Sequence, residues 1–213
     1  MLRRHRVTAA ILAVISLVGC GSNAAQTRAS GKIAGSFEEL LDFKLSRSDL
    51  NDFEREAYMR AKETGRIAQA DYDEAYARYA DCMSERGDPV TLKKLPNGLY
   101  QEKAAPLKPG QSLEQSMDIV SACQKITVGY LPEMFAFQQG NPELLRDMDE
   151  AAYRCLERSS LVPEGYSLEQ FSKSMNEPEP GGGSRLNDMP FDFKSDDVQA
   201  CLVGAGIALG VVD

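Results

Sequence analysis

Histidine is almost missing from this chain. Its one copy among 213 residues, His5, lies in a leading stretch expected to be removed. A body without imidazole has no side chain whose ordinary pKa sits near neutral pH. That excludes Ser-His-Asp and Cys-His nucleophilic chemistry and the usual zinc sites. Tryptophan is absent, and phenylalanine and tyrosine contribute eight residues each. The apolar run Ala9–Val18 falls well short of the ~20 residues that cross a bilayer. Bases are also in deficit: 24 Lys and Arg stand against 32 Asp and Glu, for a net charge of −8. Nucleic acid, which needs a basic face, is therefore not an expected partner. The five cysteines show no Cys-x-x-Cys spacing, so neither a redox motif nor a zinc knuckle is expected, and no metal or cofactor is assigned.

What is present begins with Arg3, Arg4 and Arg6, then the short apolar run, then Leu17-Val18-Gly19-Cys20. A basic start, a short apolar middle and a small residue before a cut have the form of a secretory signal. The last four residues resemble the lipobox of bacterial lipoproteins. The resemblance implies that residues 1–19 are a signal peptide and that Cys20 is the lipidation site. Its thiol would carry a diacylglyceryl group, and the chain would sit at the outer face of the cytoplasmic membrane. The alternative is an ordinary secretory signal with an incidental cysteine. One acyl chain binds membranes only reversibly, and two hold. Loss of the three arginines moves the net charge from −8 to about −11. Anionic headgroups then offer little attraction, and the fatty anchor must do the holding.

Residues 20–35 are small and polar and read as a flexible tether. The remainder, 36–213, reads as a mainly α, disulfide-braced helical domain with one short β-hairpin. Ser36-Phe37-Glu38-Glu39, Ser112-Leu113-Glu114-Gln115 and Ser167-Leu168-Glu169-Gln170 are capping boxes that open helices. Ser48-Asp49, Asn141-Pro142-Glu143 and Ser195-Asp196-Asp197 read as further helix starts. Tyr72, Ala75, Tyr79, Cys82 and Met83 share one side of a helix that Gly87 ends. Its tyrosines, with Tyr76, read as core rather than as a platform for sugar rings. Pro96-Asn97-Gly98 between Val90–Leu95 and Leu99–Glu102 predicts the hairpin. Glu177 to Ser184 is a linker rich in proline and glycine.

Cys82, Cys123, Cys155 and Cys201 remain after Cys20, an even number that reads as two disulfides in an exported chain. Three connectivities are possible. Two spans, 66–127 and 143–206, each hold a cysteine-bearing helix, a Ser-Leu-Glu-Gln box and a second cysteine. The pairing Cys82–Cys123 with Cys155–Cys201 closes each of these possible repeat halves; coincidence among helix caps is the other account. The helix ends Cys82-Met83 with Gly87 and Cys201-Leu202 with Gly206 are similar to those of uncharacterised lipoproteins of high-GC Gram-positive bacteria. Cys155-Leu156 departs from the pattern, with Ser160 where glycine would stand.

No residue can be named as catalytic, and the chain is expected not to be an enzyme. The expected function is a lipid-anchored, non-catalytic module that binds an envelope protein or a cell-wall component. Tyr130, Met134, Phe135 and Phe137 crowd one apolar stretch and are the candidate binding surface, although core is the commoner fate of such a run. A transporter-associated substrate-binding lipoprotein is one alternative, disfavoured by the lack of βαβ alternation. A carboxylate-dependent cell-wall hydrolase is another, since that chemistry needs only two acids. Asp188, Asp192, Asp196 and Asp197 cluster, but without the ligand spacing of a calcium loop.

Overall fold

The sequence specifies its helix starts with short polar side chains. In a computed structural model, which describes residues 31–178 and 185–207, six helices are capped by a side chain that accepts a backbone N–H three residues on. The caps are Ser36 for α1 (Phe37–Leu45), Asn51 for α2 (Asp52–Thr64) and Ser112 for α4 (Leu113–Ile126). Asp147 caps α6 (Met148–Arg158), Ser167 caps α7 (Leu168–Asn176) and Ser195 caps α8 (Asp196–Gly204). The two remaining helices, α3 (Gln69–Glu85) and α5 (Leu131–Gly140), start without such a bond. Each cap satisfies a donor that the helix itself leaves open.

The expected mainly α fold is what forms, with eight α-helices and one two-stranded sheet among the described residues. Ser112 and Ser167 make full reciprocal boxes with Gln115 and Gln170. At Ser36 the box is displaced by one residue, because Glu39 accepts from the N–H of Gly35 instead of Ser36. Two helix starts fall later than expected. Asn51, not Ser48, caps α2, because its Oδ1 reaches the N–H of Glu54 at 2.9 Å. The Asn141 segment is a turn that carries Leu144 at φ 55, and α6 waits for Asp147.

The hairpin is β1 (Val90–Lys94) paired antiparallel with β2 (Tyr100–Ala104), Lys94 facing Tyr100. Leu95 and Leu99 close its turn by a 2.8 Å backbone bond and are themselves buried. Two strands alone are marginal in water. Here one side leans on α3 through Lys94 and Asp73, 2.7 Å apart. The other leans on α8, where Asn97 Nδ2 donates to the carbonyl of Ala200 and Gln101 to the side chain of Gln199.

Buried apolar side chains form two cores. The first gathers α1 to α5 and the hairpin around Tyr58, Tyr72, Tyr79, Met134 and Phe135. Tyr72, Tyr76 and Tyr79 are all buried, as the helical spacing implied. The second gathers α6, α7, α8 and the 3-10 turn Arg185–Asp188 around Leu156, Phe171, Val198 and Leu202. Besides the hairpin's bonds to α8, the cores join where α5 crosses α8 at Gly140 and Gly204. A β-carbon built on Gly204 would lie 2.6 Å from the Cα of Gly140, so backbone meets backbone there.

The four cysteines pair as Cys82–Cys123 and Cys155–Cys201. They close loops of 41 and 46 residues, each worth about 4 kcal/mol in the chain-entropy account. The spans 66–127 and 143–206 nevertheless differ in element order. The first runs helix, hairpin, helix, and the second runs helix, helix, 3-10 turn, helix. The Ser112 box opens the helix that carries Cys123, whereas the Ser167 box opens α7, which has no cysteine. What the spans share is the form of a helix end, taken up in the Discussion.

Of the expected tether, 20–35, residues 31–35 are instead fixed to the body. Lys32 bridges Leu145, with Ile33 N donating to Leu144 O at 2.7 Å and Arg146 N to Gly31 O at 2.9 Å. Ala34 packs on the first core. Fixed backbone therefore begins by Gly31, because this segment has both a pairing partner and apolar residues to bury. The signal peptide 1–19 and Cys20 lie outside the described residues. Among those described, no helix is long and apolar enough to cross a membrane.

Candidate functional site

Of the four residues expected to form a binding surface, two are interior. Met134 and Phe135 have no solvent exposure, and the Phe135 ring stacks on Tyr72 with centroids 4.2 Å apart. The reason is tertiary cover: α5 packs on both α3 and α8. Phe137 is half-buried against the first core. Tyr130 lines a cavity.

That cavity, about 310 Å³, lies where the end of α4 turns into α5 above the start of α2. Asp49 and Glu54 form one wall, Ser121, Gln124 and Lys125 another, and Gly129 and Tyr130 the third. Local chemistry explains the turn. The Thr127 hydroxyl donates back to Cys123 O at 2.7 Å, and the N–H of Gly129 to Gln124 O at 2.8 Å. Gly129 sits at φ 51, and a β-carbon there would come 2.6 Å from the Glu54 carboxyl carbon. Asn51 binds both elements together: it caps α2 and donates to Thr127 O.

Glu54 is 1% exposed. One of its oxygens, Oε1, accepts from the Tyr58 hydroxyl at 3.0 Å and from the N–H of Tyr130 at 2.6 Å. Burial raises its pKa, against the opposing effect of those two donors. The same burial, with Glu54 adjacent, pushes the Tyr58 hydroxyl far above its ordinary value. At the other end of Tyr130 the hydroxyl donates to Asp49 Oδ2 at 2.9 Å and accepts from Arg47 Nη2 at 2.7 Å. Arg47 also grips Asp49 with two parallel bonds of 2.8 and 2.7 Å. This fork, then Tyr130, holds the Asp49 carboxyl down at about 2. Lys44 Nζ and Arg47 Cζ lie 4.3 and 4.5 Å from the centre of the Tyr130 ring. One tyrosine thus spans two carboxylates whose proton affinities are driven apart.

Asp49 and Glu54 escaped the sequence reading. Glu54 carried a signal, since it falls in register with Ala57, Tyr58 and Ala61 on the buried face of α2. An acid inside an apolar stripe was there to be noticed. Asp49 carried none, because its partner Tyr130 is 81 residues away.

A second recess, about 420 Å³, lies between the two cores beside the Cys155–Cys201 bridge. Asn97, Gln139, Ser159 and Asp197 line it with Pro96, Leu161 and Ala200. The clustered aspartates are otherwise engaged: Asp196 pairs with Lys93, and Asp192 accepts from the N–H of Lys194. No group of His, Cys, Asp and Glu able to hold a metal occurs among the described residues. No protein-family model, curated protein or solved structure matches the chain.

Proposed function

We propose that this chain is a lipid-anchored, extracytoplasmic binding module without catalytic chemistry of its own. It is held at Cys20 and engages an envelope protein or cell-wall component through the Tyr130 cavity. The observation that carries the outward location is the pair of disulfides, one bracing each core. Such bonds persist in oxidising compartments and are rare in a reducing cytosol. The lipobox-like Leu17–Cys20 supplies the attachment, and the acidic body turns away nucleic acid. In the cavity, the polar groups of Tyr130 are fixed by Glu54, Arg47 and Asp49 before any partner arrives. Preorganisation of that kind lowers the ordering cost of association.

Two measurements test the proposal. Cys20→Ser should abolish fatty-acid labelling and release the chain from the membrane fraction; retention with unchanged mobility would overturn the anchor. A photo-crosslinking residue at exposed Ser121 should capture one discrete envelope component in intact cells. Absence of capture there, with capture from residues around the second recess, would move the binding site.

One observation favours a second reading, a carboxylate-dependent wall hydrolase. Asp49 and Glu54 line one cavity with pKa values displaced in opposite directions, the arrangement that separates a base from an acid. Purified peptidoglycan decides it. Solubilisation by the wild type and its loss in Glu54→Gln would replace the binding reading.

A further inference from the structure

The chain enters and leaves the described structure at one corner. Gly31 and Lys32 bond to Arg146 and Leu145. Two residues on, Met148 opens α6, and its sulfur lies 3.7 Å from where a β-carbon on Gly206 would stand. The last described residue is Ile207. Large apolar side chains are exposed at this corner: Met148 at 55% and Ile33 at 36%. Lys32 and Arg146 are exposed beside them, Arg146 reaching back to the carbonyl of Lys32. Three acids lie close by in the chain, and two of them, Asp147 and Asp149, offset the two cations. Glu143 pairs with Arg158, Asp147 caps α6, and Asp149 accepts from Asn176.

We infer that this corner, formed by Lys32, Ile33, Arg146 and Met148, rests on the phospholipid surface to which Cys20 anchors the chain. The inference depends on the anchor proposed above. Only residues 21–30 separate Cys20 from Gly31. As a coil that stretch has a root-mean-square span of ~16–19 Å, and fully drawn out it reaches at most ~35 Å. So short a leash keeps Gly31, and this corner with it, close to the bilayer. Its overall charge, about −11 after loss of the leading arginines, disfavours approach to anionic headgroups. At this corner Lys32 and Arg146 balance Asp147 and Asp149, so that repulsion is not concentrated here. Ile33 and Met148 can then reach the boundary between headgroups and acyl chains, as apolar side chains of interfacial segments do.

The test uses the full lipidated chain in native membranes, with a photo-crosslinking residue placed singly at Ile33, Met148, Leu113 or Met117. The last two are more exposed but lie on α4, which is bound to α3. Illumination should give phospholipid adducts at positions 33 and 148 and their loss at 113 and 117. Equal adducts at all four positions, or adducts on α4 alone, in a chain that still sediments with membranes would overturn the orientation and leave the anchor standing. A chain that remains soluble would overturn both.

Discussion

The two cores are braced by cross-links of similar loop length, yet the cross-links do different work. In the first core, rings pack on rings: Tyr72 against Phe135, Tyr76 and Tyr100, with Tyr79 beside Tyr76. Cys82–Cys123 fastens α4 to α3, and Cys123 is the one buried side chain of α4. The second core has fewer large side chains, and Cys155–Cys201 ties together α6 and α8, two of the helices that form it. A core with enough apolar surface can give its disulfide to a helix that buries little else. A smaller one needs the bond between the helices that make it, since apolar burial returns only ~25 cal/mol per Å².

The largest effect should come from separating the cores. Gly140→Ala drives a methyl into the backbone of Gly204, which has no side chain to move aside. Overpacking of this kind costs ~1–3 kcal/mol where side chains can adjust, and more is expected where they cannot. Amide exchange should show the second core losing protection while α3 keeps its own. Unchanged exchange and an unchanged Tm would mean that the crossing of α5 and α8 does not join the halves.

Of comparable size is the effect of removing either bond. Cys155→Ser with Cys201→Ser, and Cys82→Ser with Cys123→Ser, each remove about 4 kcal/mol of denatured-state constraint. The first pair should expose α6, α7 and α8 together. The second should expose α4 alone. Exchange mapped by peptide distinguishes them, and equally widespread loss in both would erase the difference in roles drawn above.

Sensitivity to pH should divide the halves as well. Among the described residues, the buried acids are Glu54 and Asp88, both in the first half. Glu54 holds its proton more tightly when folded. Its contribution to stability is therefore greatest below the ordinary value of about 4.3 and declines as pH rises through the folded pKa. Asp49 acts oppositely: its stabilisation is present above the ordinary carboxylate range and is lost as pH falls toward about 2. Glu54→Gln removes only the first effect. The Tm of the variant relative to wild type should increase as pH is raised from acid toward neutral. A difference that stays flat, or runs the other way, would contradict the assigned role of burial at Glu54.

Much of this was written locally and could be read locally. Ser112, Ser167 and Ser195 announce their helices because a cap needs only residues three apart, and Asn97-Gly98 announces the hairpin for the same reason. The cysteine pairing was read from the two spans it closes, 66–127 and 143–206, although those spans differ in element order. What could not be read depends on distant partners. Met134 and Phe135 resemble an exposed patch until α3 covers them, and Lys32 resembles tether until Leu145 pairs with it. The Tyr130 site joins residues more than seventy positions apart in the chain, beyond the reach of any periodicity.

The smallest effect tests what the halves share. Three disulfide cysteines stand five residues before a left-handed backbone position: Cys82 before Gly87 at φ 75, Cys155 before Ser160 at φ 55, and Cys201 before Gly206 at φ 83. The hydrogen bonds match in register. Asp88, Leu161 and Ile207 donate to Met83, Leu156 and Leu202, while Gly87, Ser160 and Gly206 donate to Ser84, Glu157 and Val203. Each end is a Schellman turn, and the turn favours glycine because a β-carbon strains it. Ser160 keeps the shape without the favoured residue. A left-handed L-residue costs roughly 1–2 kcal/mol, part of which glycine returns through the greater freedom it gives the unfolded chain. Ser160 is exposed, so its hydroxymethyl group buries nothing. Ser160→Gly should therefore stabilise the second half by about 0.5–1 kcal/mol, and Gly87→Ser should destabilise the first by a similar amount. Thermal unfolding of the two variants reads both signs. If Ser160→Gly lowers the Tm, the serine side chain holds its turn by some bond of its own, and the three helix ends are alike in shape without being alike in cause.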